Sequence, residues 1–262
     1  MTENSRYILL SFDVEEFDMP IEYDCSITLQ EQLTEGWKGL QAVMEVINFA
    51  KVPATFFTTA TFASHYPEAM RKMAEEHEIA SHTLSHSNFR NYDLIESRII
   101  LERITGRPVY GLRMPRMMHV DMKDVKQAGY KYDSSINPTW IPGRYNNIDK
   151  PRTIFTADNM IRIPTSVSPN FRIPLFWLTF KNFPYYYFKQ LVLQTLAHDG
   201  YVCLYMHPWE FTDINRFDIP NYTKRGSGKW LCERLLRLIK DLSGSAEFVT
   251  MHGYLKDRHL PV

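Results

Sequence analysis

The sequence predicts an α/β protein built on a parallel, barrel-like sheet, in one domain spanning 1–262. Three observations carry this reading. Short apolar runs alternate with helix-patterned stretches from end to end, the signature of strand–helix–strand units. No linker-like shift in composition and no internal repeat interrupts the alternation. Asp13, His82, Arg113, Asp133 and His207 each directly follow a short apolar run, and the ends of barrel strands are where such folds gather their chemistry.

The first strand is Tyr7 to Phe12, mostly apolar and stopped by Asp13. The acidic run Asp13-Val14-Glu15-Glu16-Phe17-Asp18 follows. If the period of two persists through the strand end, Asp13 and Glu15 share a side. So many carboxylates beside a buried strand repel one another unless positive charge compensates them. Leu33, Trp37, Leu40, Val43, Met44 and Ile47 mark a helix over 31–50, and Pro53 to Phe57 is the second strand. A helix over 67–76 leads to a short strand before His82. If the chain turns helical at His82, His82 and His86 lie one turn apart on one face. That spacing suits two nitrogen ligands on one divalent ion, with metal–nitrogen bonds of about 2.0–2.1 Å.

Next comes a helix over 91–104, ended by Gly106 and Pro108. Val109 to Leu112 is a strand delivering Arg113, 121–128 a short helix closed by Gly129, and Tyr130 to Tyr132 leads into Asp133. Residues 137–159, rich in Pro, Gly, Asn and Asp, form an excursion. Met160 to Pro164 is a strand, 171–188 is strongly aromatic, and a helix covers 187–198. Tyr201 to Met206 is a buried strand ending at His207. A helix over 229–242 and a strand over 247–250 complete the chain.

Thirty basic residues balance thirty acidic ones, so charge gives no support to nucleic-acid binding. Cys25, Cys203 and Cys232 are odd in number and far apart, neither a disulfide framework nor a thiolate zinc site. The apolar start is too short for a secretory core, and no run approaches the roughly 20 apolar residues of a membrane span. A cytoplasmic setting is the expectation.

Five short motifs now stand in order: Ser11-Phe12-Asp13, Ser81-His82-Thr83-Leu84-Ser85-His86, Arg113-Met114-Pro115, Tyr132-Asp133-Ser134-Ser135 and Leu204-Tyr205-Met206-His207. Together they resemble the polysaccharide deacetylases, the carbohydrate esterase group with a NodB-type domain. The resemblance implies a distorted (β/α) barrel of about seven strands and a bound divalent metal, zinc by expectation, on His82 and His86. Val14 stands where the family has a second aspartate. Asp13-Val14-Glu15 resembles a variant in which the carboxylate ligand comes two residues after the catalytic aspartate. That makes Glu15 the ligand, with Glu16 and Asp18 as the other carboxylates in reach.

The roles that follow are Asp13 as general base, Arg113 as its partner, and His207 as general acid. Asp133 is either the residue that orients His207 or a turn cap made with Ser134 and Ser135. The backbone N–H of Arg116 is the implied oxyanion donor. Trp209 and Trp140 are candidate sugar-stacking walls, as are Trp177, Tyr185 and Tyr186, although core packing competes for each. The implied substrate is an N-acetylated glycan or a lipid-linked saccharide. Residues 171–179 and 207–211 resemble deacetylases of exopolysaccharide export gene sets, and 171–188 offers a peripheral membrane contact. Two other readings are a hydrolase of a small ureide or cyclic imide, favoured by a closed pocket, and a non-catalytic glycan-binding relative, prompted by Val14.

Overall fold

The spine of the molecule is β1 (Tyr7–Val14), whose eight residues are all buried in the computed structural model, which describes residues 5–260. It is followed by α1 (Leu29–Ala50), β2 (Thr55–Thr58), α2 (Ala60–His65), α3 (Pro67–Met73), β3 (Glu78–Ser81), α4 (Asp93–Thr105), β4 (Gly111–Leu112), α5 (Met122–Gln127) and β5 (Tyr132–Asp133). The excursion contains a hairpin, β6 (Trp140–Ile141) with β7 (Tyr145–Asn146), and β8 (Phe155–Ala157), which pairs antiparallel with the following β9 (Met160–Arg162). Then come α6 (Trp177–Asn182), α7 (Tyr185–Asp199), β10 (Tyr201–Met206), α8 (Asn221–Lys224), α9 (Lys229–Leu242), β11 (Glu247–Phe248) and α10 (Met251–Asp257).

The main sheet runs β10-β1-β2-β3-β4-β5-β9-β8, with β11 paired to the start of β1. From β10 to β9 every pairing is parallel, which gives the seven strands of the expected distorted barrel. The gap between β9 and β10 is bridged by a segment without regular strand structure. Ser166 N–H donates to the Cys203 carbonyl at 2.9 Å, and the Ser166 hydroxyl accepts from Cys203 N–H at 2.8 Å.

Strand alternation divides the apolar residues into two cores. Ile8, Leu10, Phe12 and Val14 face the helices, packing with Leu40, Val43, Leu235 and Ile239. Tyr7 and Leu9 face the lumen with Phe57, Tyr132 and Cys203. The lumen is plugged from below by α10, which the sequence reading did not foresee, through Met251, Tyr254 and Leu255. Glu78 secures the plug by accepting from His252 N–H at 3.0 Å.

Helix α1 begins at a capping box, Thr28 with Glu31. Two mid-helix glycines let it sit flush on the chain segments that carry the site. A Cβ on Gly39 would lie 2.0 Å from the Pro208 carbonyl oxygen, and one on Gly36 would lie 2.7 Å from that of Glu15. Backbone cannot give way like a flexible side chain, so both positions require glycine. Of the aromatic 171–188 stretch, Phe176, Trp177, Phe180, Tyr185 and Phe188 are buried, while Phe171, Tyr186 and Tyr187 face solvent. Among the described residues, no helix is long and apolar enough to cross a membrane.

Candidate metal centre and reaction chamber

Continuing the alternation of β1, Asp13 points into the top of the lumen and Glu15 follows on the same side. Glu15 Oε2 lies 3.0 Å from Nε2 of His82 and 3.0 Å from Nε2 of His86. The histidines reach this point without a helix, contrary to the expected one-turn spacing. Chain 82–92 is irregular and α4 begins only at Asp93. The turn is made by Thr83 at φ 67°, a left-handed conformation that a β-branched residue rarely adopts. It is held by Thr83 N–H donating to Ser81 Oγ at 3.1 Å and by Ala60 N–H donating to the Thr83 carbonyl at 3.0 Å. Strain of this kind concentrates at functional sites, where the surroundings enforce it.

Outer contacts fix which nitrogen each ring presents. His82 Nδ1–H donates to the Arg113 carbonyl at 2.8 Å, and His86 Nδ1–H donates to Asp18 Oδ1 at 2.7 Å. Asp18 also accepts from Ser87 Oγ and from Arg116 Nη2, each at 2.8 Å. Both Nε2 atoms are therefore turned toward Glu15, the orientation that metal-binding histidines take from their outer partners. Glu15 Oε1 accepts from Trp209 Nε1 at 3.1 Å.

The donor set fits a divalent ion. The three donor atoms lie within 4.8 Å of one another and all three residues are buried. A tetrahedral ion with bonds near 2.05 Å needs donors about 3.3 Å apart, a small expansion of the contacts present. Glu16 is not part of this set. One of its oxygens accepts from Thr59 Oγ1 at 3.0 Å and the other is buried without a partner. Burial raises its pKa. For Glu15, burial acts in the same upward direction, but the charge of His86 and the hydrogen bond from His82 outweigh it and hold the carboxyl well below its ordinary range. Burial disfavours charge on His86 as well, yet Glu15 and Asp18 on either side push it up to about 9.

Beside this centre, Arg113 Nη1 meets Asp13 Oδ1 at 2.6 Å. The guanidinium is fully buried, lies 4.0 Å from the centre of the Phe57 ring, and donates to Ser11 Oγ and to both the carbonyl and the hydroxyl of Ser134. Burial opposes its charge, but Asp13 more than compensates and raises its pKa.

His207 stands across the chamber, stacked on Trp209 at 5.0 Å and edge-on to Trp177 at 5.2 Å. Its Nδ1 meets Glu210 Oε1 at 3.1 Å, and Glu210 Oε2 meets the buried Lys181 ammonium at 2.9 Å. With Nδ1 engaged, Nε2 is the nitrogen left for proton transfer. Burial pulls the His207 pKa down, but the Glu210 bond and the surrounding carboxylates reverse this and raise it.

Several expected roles are corrected by this geometry. Asp133 does not reach His207: its carboxylate pairs with Arg162 Nε at 2.8 Å and accepts from Ser135. It is a structural cap and ion pair, and Glu210 orients the histidine instead. Trp209 is no sugar wall. It is buried between Phe17 and His207 and acts on Glu15. Trp140 is exposed on the β6–β7 hairpin and outside the chamber lining, which takes its neighbours Ile141 and Tyr145 instead. Tyr185 and Tyr186 also lie outside that lining, whereas Trp177 belongs to it. Arg116 does line the chamber, at φ 54°, its side chain committed to Asp18 and Glu22. Lys181 lies in no motif, and Glu210, although inside the 207–211 resemblance, has no role assigned by it. The Glu210 spacing from His207 was a usable signal, since a carboxylate three residues on can turn back to its histidine.

The chamber holds about 240 Å³ and is lined by Asp13, Glu15, His82, His86 and His207 among others. Fold and centre together define a barrel protein with a His-His-Glu set of candidate metal ligands, flanked by an aspartate–arginine pair and a carboxylate-backed histidine. Residues 3–132 match the family model described as polysaccharide deacetylase, the family that the five sequence motifs resemble.

A chitooligosaccharide deacetylase of Bradyrhizobium sp. (strain ANU 289) is 47% identical over 45 residues. That stretch is 17% of this chain and 20% of that protein, so the match spans about one fifth of the curated relative. Among solved structures, a polysaccharide deacetylase of Mycobacterium smegmatis aligns with a TM-score of 0.66 at 16% identity, over 100% of this chain and 94% of that one. An allantoinase aligns at 0.63 and 15% identity, over 99% and 92%. Identities this low show a shared fold.

Proposed function

We propose that the protein removes N-acetyl groups from an amino-sugar glycan or glycan precursor. The observation that carries the reading is the convergence of Glu15, His82 and His86 beside Asp13 and His207 in one chamber. A divalent ion held by Glu15, His82 and His86, zinc by the character of two buried imidazoles and a carboxylate, supplies Lewis acidity toward the acetyl carbonyl and water. Asp13, pinned by Arg113, accepts the proton of the attacking water. The Arg116 N–H donates to the oxygen that gains charge as the tetrahedral state forms. His207 gives its Nε2 proton to the amine nitrogen as the C–N bond breaks, leaving acetate and a free amine. Glu15 supplies the carboxylate that Val14 does not, which weakens the non-catalytic reading.

One observation favours the second enzyme reading. The chamber is small, below the ~300–1,000 Å³ of sites for drug-sized ligands. A compact ureide or cyclic imide fits such a space. The two readings are separated by incubating the zinc-loaded protein with N-acetylglucosamine oligomers and, in parallel, with a cyclic ureide. Acetate release from the sugars is expected. Ring opening of the ureide with no acetate from any sugar would replace the deacetylase reading with the other.

The histidine–glutamate pair gives a pH test. His207 must be protonated to act as acid, and its raised pKa places the alkaline limb of kcat/KM above the ordinary histidine value of about 6.5. Glu210→Gln removes the charge that holds the proton, so that limb moves to lower pH. The sign for stability agrees. A raised histidine pKa adds stability that is present below about pH 6.5 and fades as pH rises through the raised value. An unmoved alkaline limb in Glu210→Gln would mean that His207 is not the titrating acid.

A further inference from the structure

Glu22 sits on the short helical turn Met19–Tyr23, between the chamber and a second, outer cleft. Its carboxylate bridges two arginines from different parts of the chain, Arg116 Nε at 2.7 Å and Arg144 Nη2 at 2.8 Å. The outer cleft holds about 730 Å³. Glu22, His86, Arg116 and Arg144 line both spaces, so the ion-paired trio forms a partition between them. On the chamber side lie the metal-binding residues. On the other side lie Ile21, Phe89 and Met118 with Ser87 and Asn88, an apolar and hydrogen-bonding mixture suited to a sugar's face and hydroxyls. At 240 Å³ the chamber has about a third of the volume of the outer cleft, so a second ring would draw on the outer space.

We propose that Glu22 is a specificity-determining gate for glycan length, an inference that rests on the deacetylase reading. With Glu22 across Arg116 and Arg144, the site accepts a single N-acetylated ring. With Glu22 released, chamber and outer cleft join, and a neighbouring sugar unit lies against Phe89. Arg144 is 43%, Arg116 28% and Glu22 22% exposed at their side chains, so both contacts are partly solvated and screened by salt. The partition can therefore open without loss of the fold. Asp18, on the same strand of chain, stays tied to His86 and Ser87, so release at Glu22 need not disturb the metal-binding histidine.

The test is the chain-length profile of the zinc-loaded full chain. The ratio of kcat/KM on N-acetylglucosamine tetrasaccharide to that on the monosaccharide is measured for the native protein, Glu22→Ala and Arg144→Met. The two variants break the same partition from opposite sides, so either one suffices if the other fails to fold. Each is expected to raise the ratio at least tenfold. Raising the salt concentration should raise the ratio in the native protein and leave it flat in Glu22→Ala. Acetate release with the same ratio in all three proteins overturns the gate alone. Acetate release from no sugar in any of them overturns the deacetylase reading and the gate with it.

Discussion

His82→Ala and His86→Ala proteins are expected to bind zinc at least about 100-fold more weakly than the native chain and to lose at least about 1,000-fold in kcat/KM. Disturbing an outer partner of a metal ligand alone costs about 10–100-fold in affinity, so loss of a ligand should exceed that. The fold should survive, because neither ring belongs to the apolar cores, and His82 is fixed chiefly by backbone contacts to Thr58 and Arg113. Glu15→Gln keeps the shape and the Trp209 bond but removes the charge, and at least a tenfold loss of affinity is expected, about 1.4 kcal/mol. Glu16→Gln should leave affinity near native, since its carboxyl is turned to Thr59. Zinc content of the purified proteins and competition with a chromophoric chelator provide the readout. A stoichiometric zinc retained by His82→Ala, or equal losses from Glu15→Gln and Glu16→Gln, would refute the ligand assignment.

The parts legible in the sequence were those governed by periodicity. Alternation along β1 puts Asp13 and Glu15 on one side, and the apolar runs give β2, β10 and the extent of α9. What periodicity does not encode was missed. The His82–His86 spacing suggested a helical turn, but a left-handed Thr83 brings the rings together in a loop. Local spacing admits both solutions, and the tertiary contacts to Asp18 and Arg113 choose between them. The resemblance offers Asp133 as the partner of His207, with a turn cap as the alternative, and its place after a strand fixes only the end of the barrel. Arg162, on the neighbouring β9, claims the Asp133 carboxylate. Lys181 reaches Glu210 from a separate helix, a long-range pairing that no short motif contains. The glycines of α1 were a signal in plain view. A glycine inside a helical pattern carries a cost and often marks close backbone approach, here to Glu15 and Pro208.

The other large effect concerns the base. Asp13→Asn is expected to lower kcat by roughly 1,000- to 10,000-fold while the protein still binds stoichiometric zinc, because Glu15 and not Asp13 completes the ligand set. The substitution preserves volume and one acceptor oxygen for Arg113, so the loss is one of charge and basicity. It also leaves a fully buried guanidinium without its counter-charge. Removing one partner of a buried pair costs about 3–5 kcal/mol, and the retained hydrogen bond places Asp13→Asn toward the lower end. Arg113→Met should destabilise by a similar amount from the other side, since it strands the carboxylate. The double variant Asp13→Asn, Arg113→Met should be more stable than the sum of the two losses implies, because neither charge is then left buried alone. Denaturant unfolding measures the three stabilities, and single-turnover acetate release measures the chemical step. Loss of zinc in Asp13→Asn would make Asp13 a ligand and return the search for the base to the remaining buried carboxylates. Native-like turnover in the same variant would remove it from the chemistry altogether.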